Sequence, residues 1–222
     1  MSRCQFDRQR DMLCANLRAI WQTRVQPVDV TLGHDWYPQV QTIVRDWASH
    51  YRYSVDTVAA VVAALSPQVE WSRNLIIADD LLAQRMPSIG GALHINIRKA
   101  ERLRDTDYRS ELPDLWTLDT RMLEQFPGGP KVCSFARNLS GDMTHVTVDT
   151  HAIQAALNNP LATVTLKWTP YTVFAQCYAV VAAELGRTPA DFQAIIWHAW
   201  KRLYPRVWKQ QHRKQWHVIG EY

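Results

Sequence analysis

The chain has 222 residues, 47% of them hydrophobic and 10% aromatic, and a formal net charge of +4, enough apolar material for one large domain or two small lobes sharing a core. Its longest apolar run, Val58 to Leu65, is far short of the roughly 20 residues that a membrane span requires. The stretch containing Arg3, Asp7, Arg8 and Arg10 lacks a secretory h-region, so a membrane protein is excluded and a cytoplasmic location is expected.

Helical signals dominate the whole length and no run alternates long enough to argue for a sheet, so the expected fold is mostly α. Apolar positions near helical spacing predict a first helix from about Cys4 to Trp21, and a second from Tyr37 to about Tyr51 after a break at Gly33-His34-Asp35. Ser54 is placed to cap a third, Val55 to Leu65, which is apolar almost all round and therefore central, until Pro67 stops it. Trp71 to Gln84 forms a fourth, and after a break from Pro87 to Gly91 the segment Ile95 to Leu103 is a short amphipathic helix.

Thr117 or Asp119 caps a further helix ending at Phe126. Phe126-Pro127-Gly128-Gly129-Pro130 is then a tight turn, because two glycines permit positive φ and the prolines forbid helix continuation. Helix resumes from Lys131 to Leu139, with Lys131 at its N-terminus. Val146 to Val148 is a short extended piece that delivers Asp149 to the start of a helix through Leu157, where an aspartate is a natural N-cap worth about 1 kcal/mol. Pro170 to Leu185 and a helix opening at Thr188-Pro189-Ala190-Asp191 and ending at Tyr204 complete the chain, with Trp197 and Trp200 assigned to the core.

The cysteines Cys4, Cys14, Cys133 and Cys177 are scattered without a C-x-x-C pair, which points to buried free thiols; no metal or other cofactor is expected. Charge is uneven. Residues 201–222 hold Lys201, Arg202, Arg206, Lys209, Arg213 and Lys214 against the single acid Glu221, so this basic tail either meets a phosphate-rich partner or is simply solvated. Trp208 and Trp216, interleaved with Lys209, Arg213 and Lys214, either stack on bases or face the main body.

Three blocks carry a resemblance. The first is Leu65-Ser66-Pro67-Gln68, followed by a helix with Asn74 and Ala78. The second is Asn96-Ile97-Arg98-Lys99-Ala100-Glu101. The third is Phe126-Pro127-Gly128-Gly129-Pro130-Lys131 followed by Val146-Thr147-Val148-Asp149-Thr150-His151, with eighteen residues from Lys131 to Asp149. In this order the blocks resemble the helix-hairpin-helix DNA glycosylases, specifically the endonuclease III-like branch, over about residues 55 to 160. The family's cysteine-rich iron–sulfur tail has no counterpart here, since no cysteine follows Tyr204.

The resemblance implies one glycosylase-like domain over residues 1–222, as two helical lobes with a cleft between them. The central lobe covers about 52–160, the N- and C-terminal helices form the second lobe, and 201–222 is a basic tail. It implies Lys131 as the nucleophile that attacks C1′ and forms a Schiff base, and Asp149 as the carboxylate that stabilises oxocarbenium charge. Gln68 matches the position that fills the space of an extruded base, or is a polar C-cap of the central helix. Glu70 and Trp71 line the pocket, unless Trp71 is a core residue. The Gly128 and Gly129 backbone would hold a DNA phosphate, but the hairpin is one residue shorter than the family's and Pro130 supplies no N–H. His151 contacts a phosphate, orients Asp149 or is a core histidine.

The expected function is therefore a DNA glycosylase with AP lyase capability, excising a modified or mismatched base from double-stranded or locally opened DNA, with Lys209, Arg213 and Lys214 aiding binding and no obligate protein partner. Two alternatives keep the fold. One is a phage-type base hypermodification enzyme acting on a thymine 5-substituent, which the short Gly-Pro-Lys hairpin also resembles. The other is a non-catalytic DNA-binding module.

Overall fold

A computed structural model describes residues 3–106, 129–162 and 168–205. In chain order the helices are α1 (Arg3–Thr23), α2 (Pro27–Tyr51), α3 (Val55–Leu65), α4 (Trp71–Leu82), α5 (His94–Asp105), α6 (Gly129–Ser140), α7 (Thr150–Ala156), α8 (Trp168–Glu184) and α9 (Pro189–Leu203). All regular structure among the described residues is helical, and none of these helices is long and apolar enough to cross a membrane. The helix expected to end at Phe126, Gly128 of the hairpin, and the tail residues Lys209, Arg213, Lys214, Trp208 and Trp216 lie outside the described residues.

The centre is α3. The Ser54 hydroxyl caps it by accepting the Thr57 N–H at 3.0 Å, and every residue from Val58 to Leu65 is at most 1% exposed. A helix apolar on all sides must be surrounded, and α3 packs against α2, α4, α5 and α6. Its alanines and valines are short, which lets those neighbours approach closely. A second group of helices forms where α1 meets α7 and α8, and where α9 meets α7 and α8. Helix α2 touches both groups, running along α9 on one side and against α3 and α6 on the other.

The break expected at Gly33-His34-Asp35 does not occur, and α2 begins ten residues before Tyr37, at Pro27. Pro27 suits the first turn, and the Asp29 carboxylate reaches back to accept the Gln26 N–H at 2.8 Å. Gly33 serves proximity rather than interruption: a Cβ built there would lie 2.5 Å from the Ile195 N and Cα atoms of α9. Arg202 of α9 then grips Asp29 with both forks of its guanidinium, at 3.0 Å to Oδ1 and 2.7 Å to Oδ2. Burial alone would raise the Asp29 carboxyl, but Arg202 and the Gln26 N–H outweigh it and hold it below its ordinary range.

Cys14, Cys133 and Cys177 are buried thiols rather than disulfide partners. Cys14 in α1 and Cys177 in α8 belong to the apolar seam between those helices.

Candidate active site

Lys131 lies half-buried in the first turn of α6. That helix starts at Gly129, two residues earlier than the sequence pattern indicates, and Gly129 takes φ 75°, a value that favours glycine. Pro130 sits in the first helical turn, where a missing N–H costs no helical bond.

The far end of α6 builds the path to Asp149. Asn138 is fully buried, and its amide donates to the carbonyls of Asp142 at 2.9 Å and His145 at 3.0 Å. Its oxygen accepts from the Thr147 hydroxyl at 2.8 Å and the Tyr37 hydroxyl at 3.2 Å. Asp142 caps the same loop by accepting the Thr144 N–H at 3.0 Å and pairing with Arg137 at 3.0 Å. Tyr171 of α8 completes the clamp: its hydroxyl donates to Val146 O at 2.7 Å and accepts the Val148 N–H at 3.0 Å. Both strand-like backbone groups are thus satisfied by a side chain, with no sheet among the described residues to provide partners.

This clamped segment ends at Asp149, the N-cap of α7. Its Oδ1 accepts the Ala152 N–H at 2.8 Å, and its Oδ2 accepts the Trp197 indole N–H at 2.9 Å. Both oxygens are therefore oriented by N–H donors, one from its own helix and one from α9, while the residue stays half-buried.

Lys201 of α9 brings an amine to the same place. Its Nζ stands 4.0 Å from the centroid of the Trp197 ring. Burial pushes this amine down from its ordinary range, while the charges of Asp149 and Glu70 pull it back up. Glu70, which precedes α4, thus adds its charge to the field at Lys201 from the other group of helices.

Gln68 is exposed in the α3–α4 turn with φ 63°, an unusual conformation for a side chain larger than asparagine. Asn96 supports the turn weakly from α5 through Pro67 O at 3.5 Å. Trp71 lies half-buried against Trp36 at 5.4 Å and Phe135 at 6.4 Å between ring centroids, in an aromatic cluster continuous with the core. His151 sits with Nδ1 3.3 Å from Gln154 Oε1 and its ring edge-on to Trp197 at 6.0 Å.

The structure thus brings Asp149 and His151 together with Trp197 and Lys201, with the charge of Glu70 felt at the amine. The Asp149 carboxylate takes its hydrogen bonds from Ala152 and Trp197 rather than from Lys131. Sequence alone does not mark Trp197 and Lys201 as site residues, because Trp197 shares an apolar helix with Trp200 and Lys201 opens the basic stretch of the chain. The signal that marks them is their spacing of four, which stacks a cation on an aromatic face of one helix. Among the described residues no group of three or more His, Cys, Asp or Glu side chains is arranged to hold a metal ion.

A family model covering proteins of unknown function matches residues 2–203. No curated protein and no solved structure matches the chain.

Proposed function

We propose, for a chain that belongs to the family of unknown function DUF7178, a DNA glycosylase activity with AP lyase capability, directed at a modified or mismatched base. The observation that carries this reading is the Asp149 carboxylate, fixed by two N–H donors, one of them from an indole whose face carries an amine.

Cleaving an N-glycosidic bond leaves positive charge on C1′ and O4′ of the sugar. A carboxylate that cannot rotate away stabilises that charge without reorganising during the reaction. A lysine amine that attacks C1′ completes the displacement, the base departing with the bonding electrons and acquiring a proton. Lys131 is the lysine that the sequence pattern marks for this attack. Gln68, exposed on a strained turn, suits a wedge that fills the gap left by an extruded base, and Glu70 beyond it suits a contact to the base edge. The glycosylase-like arrangement of two lobes about a cleft is part of the same proposal, supported by the two groups of helices that α2 joins.

The test is to incubate duplexes carrying a panel of modified bases, mismatches and an abasic site with the protein, with and without borohydride. Free base by mass spectrometry and a reduced protein–DNA adduct are expected. If no substrate yields free base above the level of Asp149→Asn, the reading fails.

A second reading rests on Pro130 in the first turn of α6, where a phosphate-binding hairpin would offer an N–H. Here the site acts on a substituent of the base and leaves the glycosidic bond whole. The same mass spectrometry distinguishes it, since a modified nucleoside replaces the free base.

A further inference from the structure

Two thiols share the seam where α1 packs on α8. Cys177 of α8 is 0% exposed, and its thiol donates to Arg10 O at 3.5 Å. In an α-helix that carbonyl also accepts the N–H four residues on, here that of Cys14, so the Cys177 sulfur stands against the turn that carries Cys14. Burial and the contact with the Cys14 thiol both push the Cys177 thiol up, which keeps it protonated.

Cys14 also faces outward. With Arg10 and Arg18 of α1 and Gln176 and Val180 of α8 it lines an open pocket of about 460 Å³. A small solute in that pocket meets the Cys14 sulfur first, and the Cys177 sulfur lies beyond it.

We propose that Cys14 is a site of oxidation by hydrogen peroxide, and that Cys177 resolves it as a Cys14–Cys177 disulfide joining α1 to α8. No group of the base-excision site takes part, so the assignment stands without that reading.

The Cys14 sulfur attacks one peroxide oxygen, an S–O bond forms, the O–O bond breaks, and the departing hydroxide takes the Cys14 proton as water. The thiol is now a sulfenic acid, oxidised by two electrons that the peroxide has gained. The Cys177 sulfur then attacks the Cys14 sulfur, an S–S bond forms, the S–O bond breaks, and the leaving hydroxide takes the Cys177 proton as a second water. In sum, two thiols and one peroxide give one disulfide and two waters.

The seam is built to hold the two sulfurs together during this sequence. One turn after Cys14, Arg18 grips Glu184 of α8 with two nitrogens, each at 2.7 Å, and one turn before it Arg10 O holds Cys177. Resolution therefore needs side-chain rotation and no approach of the helices. Next to the thiols, Asn16 donates to Ala156 O at 2.9 Å and Tyr178 to Ala152 O at 3.0 Å, so the disulfide ties together the two helices that hold α7, the helix that Asp149 caps.

The test treats the folded chain with hydrogen peroxide, alkylates the remaining thiols, and maps a digest made without reductant by mass spectrometry. The expected result is a Cys14 peptide joined to a Cys177 peptide, with Cys133, 0% exposed in α6, still alkylated as a thiol. The thermal unfolding midpoint is expected to rise on oxidation and to return with dithiothreitol. Cys177→Ser should leave a sulfenic acid on Cys14 that a cyclic 1,3-dione captures, and Cys14→Ser should lower oxidation of Cys177 at least tenfold. If a variant fails to fold, the map of the unsubstituted chain decides. Cys14 and Cys177 both alkylated after peroxide, a bridge to Cys4 or Cys133 instead, or a cross-link that forms only in denaturant overturns the proposal. A Cys14 that stops at sulfenic or sulfinic acid in the unsubstituted chain overturns the role of Cys177.

Discussion

The Trp197 indole N–H donates to the Asp149 carboxylate at 2.9 Å, bridging 48 residues of sequence and tying α9 to the start of α7. A hydrogen bond to a charged group is worth about 1.5–3 kcal/mol. Trp197→Phe keeps a ring for Lys201 and His151 but removes the donor. Single-turnover base release is expected to slow about 10- to 100-fold, with the unfolding free energy lowered by about 1.5–3 kcal/mol. A Phe variant that releases base at the wild-type rate sinks the role given to this bond.

Asp149 has a folding task and a proposed chemical task, and one substitution separates them. Asparagine caps helices about as well as aspartate but has one acceptor oxygen for the two N–H donors, so Asp149→Asn is expected to cost about 1–3 kcal/mol in urea denaturation. Without a full negative charge, base release is expected to fall about 100-fold or more. Equal loss of stability and activity would instead mark Asp149 as a cap alone.

Asn138 places no atom on Asp149 yet fixes the route to it. Asn138→Ala strips partners from the Asp142 and His145 carbonyls and from the Thr147 and Tyr37 hydroxyls. The expected destabilisation is about 3 kcal/mol by chemical denaturation. Hydrogen exchange should quicken first at Val148, whose N–H depends on the Tyr171 hydroxyl staying in register.

The Asp29–Arg202 pair predicts an acid-dependent term in stability. The folded Asp29 carboxyl is held below its ordinary value, so its contribution is fully present above the unfolded pKa of about 4 and is lost as pH falls through the folded value. Asp29→Ala is expected to cost about 3 kcal/mol at pH 7. Denaturation curves from pH 7 to pH 2 should show that gap narrowing below pH 4. A constant gap would mean the ion pair is not its source.

Local signals were legible in the sequence. Ser54, Asp149 and Thr188 cap their helices, as their residue types and the apolar runs behind them indicate. The run from Val58 to Leu65 is apolar enough to fix α3 as the centre without knowledge of its neighbours. What was not legible depends on rotation and distance. Three residues turn a helix through about 300°, so Trp197 lies only some 60° from Trp200; one ring enters the core and the other stops at its edge. Nothing in the spacing says which. Lys201 carried the same ambiguity, since a basic residue near a basic tail gives no hint of an indole one turn back. Gly33 misled because a glycine looks the same in sequence whether it ends a helix or admits a neighbour.

Gly33 also reaches beyond packing. Ile195, the residue it admits at backbone distance, lies two positions before Trp197 on the same rigid helix. The depth at which α9 seats on α2 therefore sets how far the indole and the Lys201 amine extend toward Asp149. A methyl group at position 33, in a residue with no chemistry of its own, would back α9 away and detune the site while leaving each of its residues in place. The spacing of reactive groups in this protein is gauged by an absent side chain on the far side of the helix that carries them.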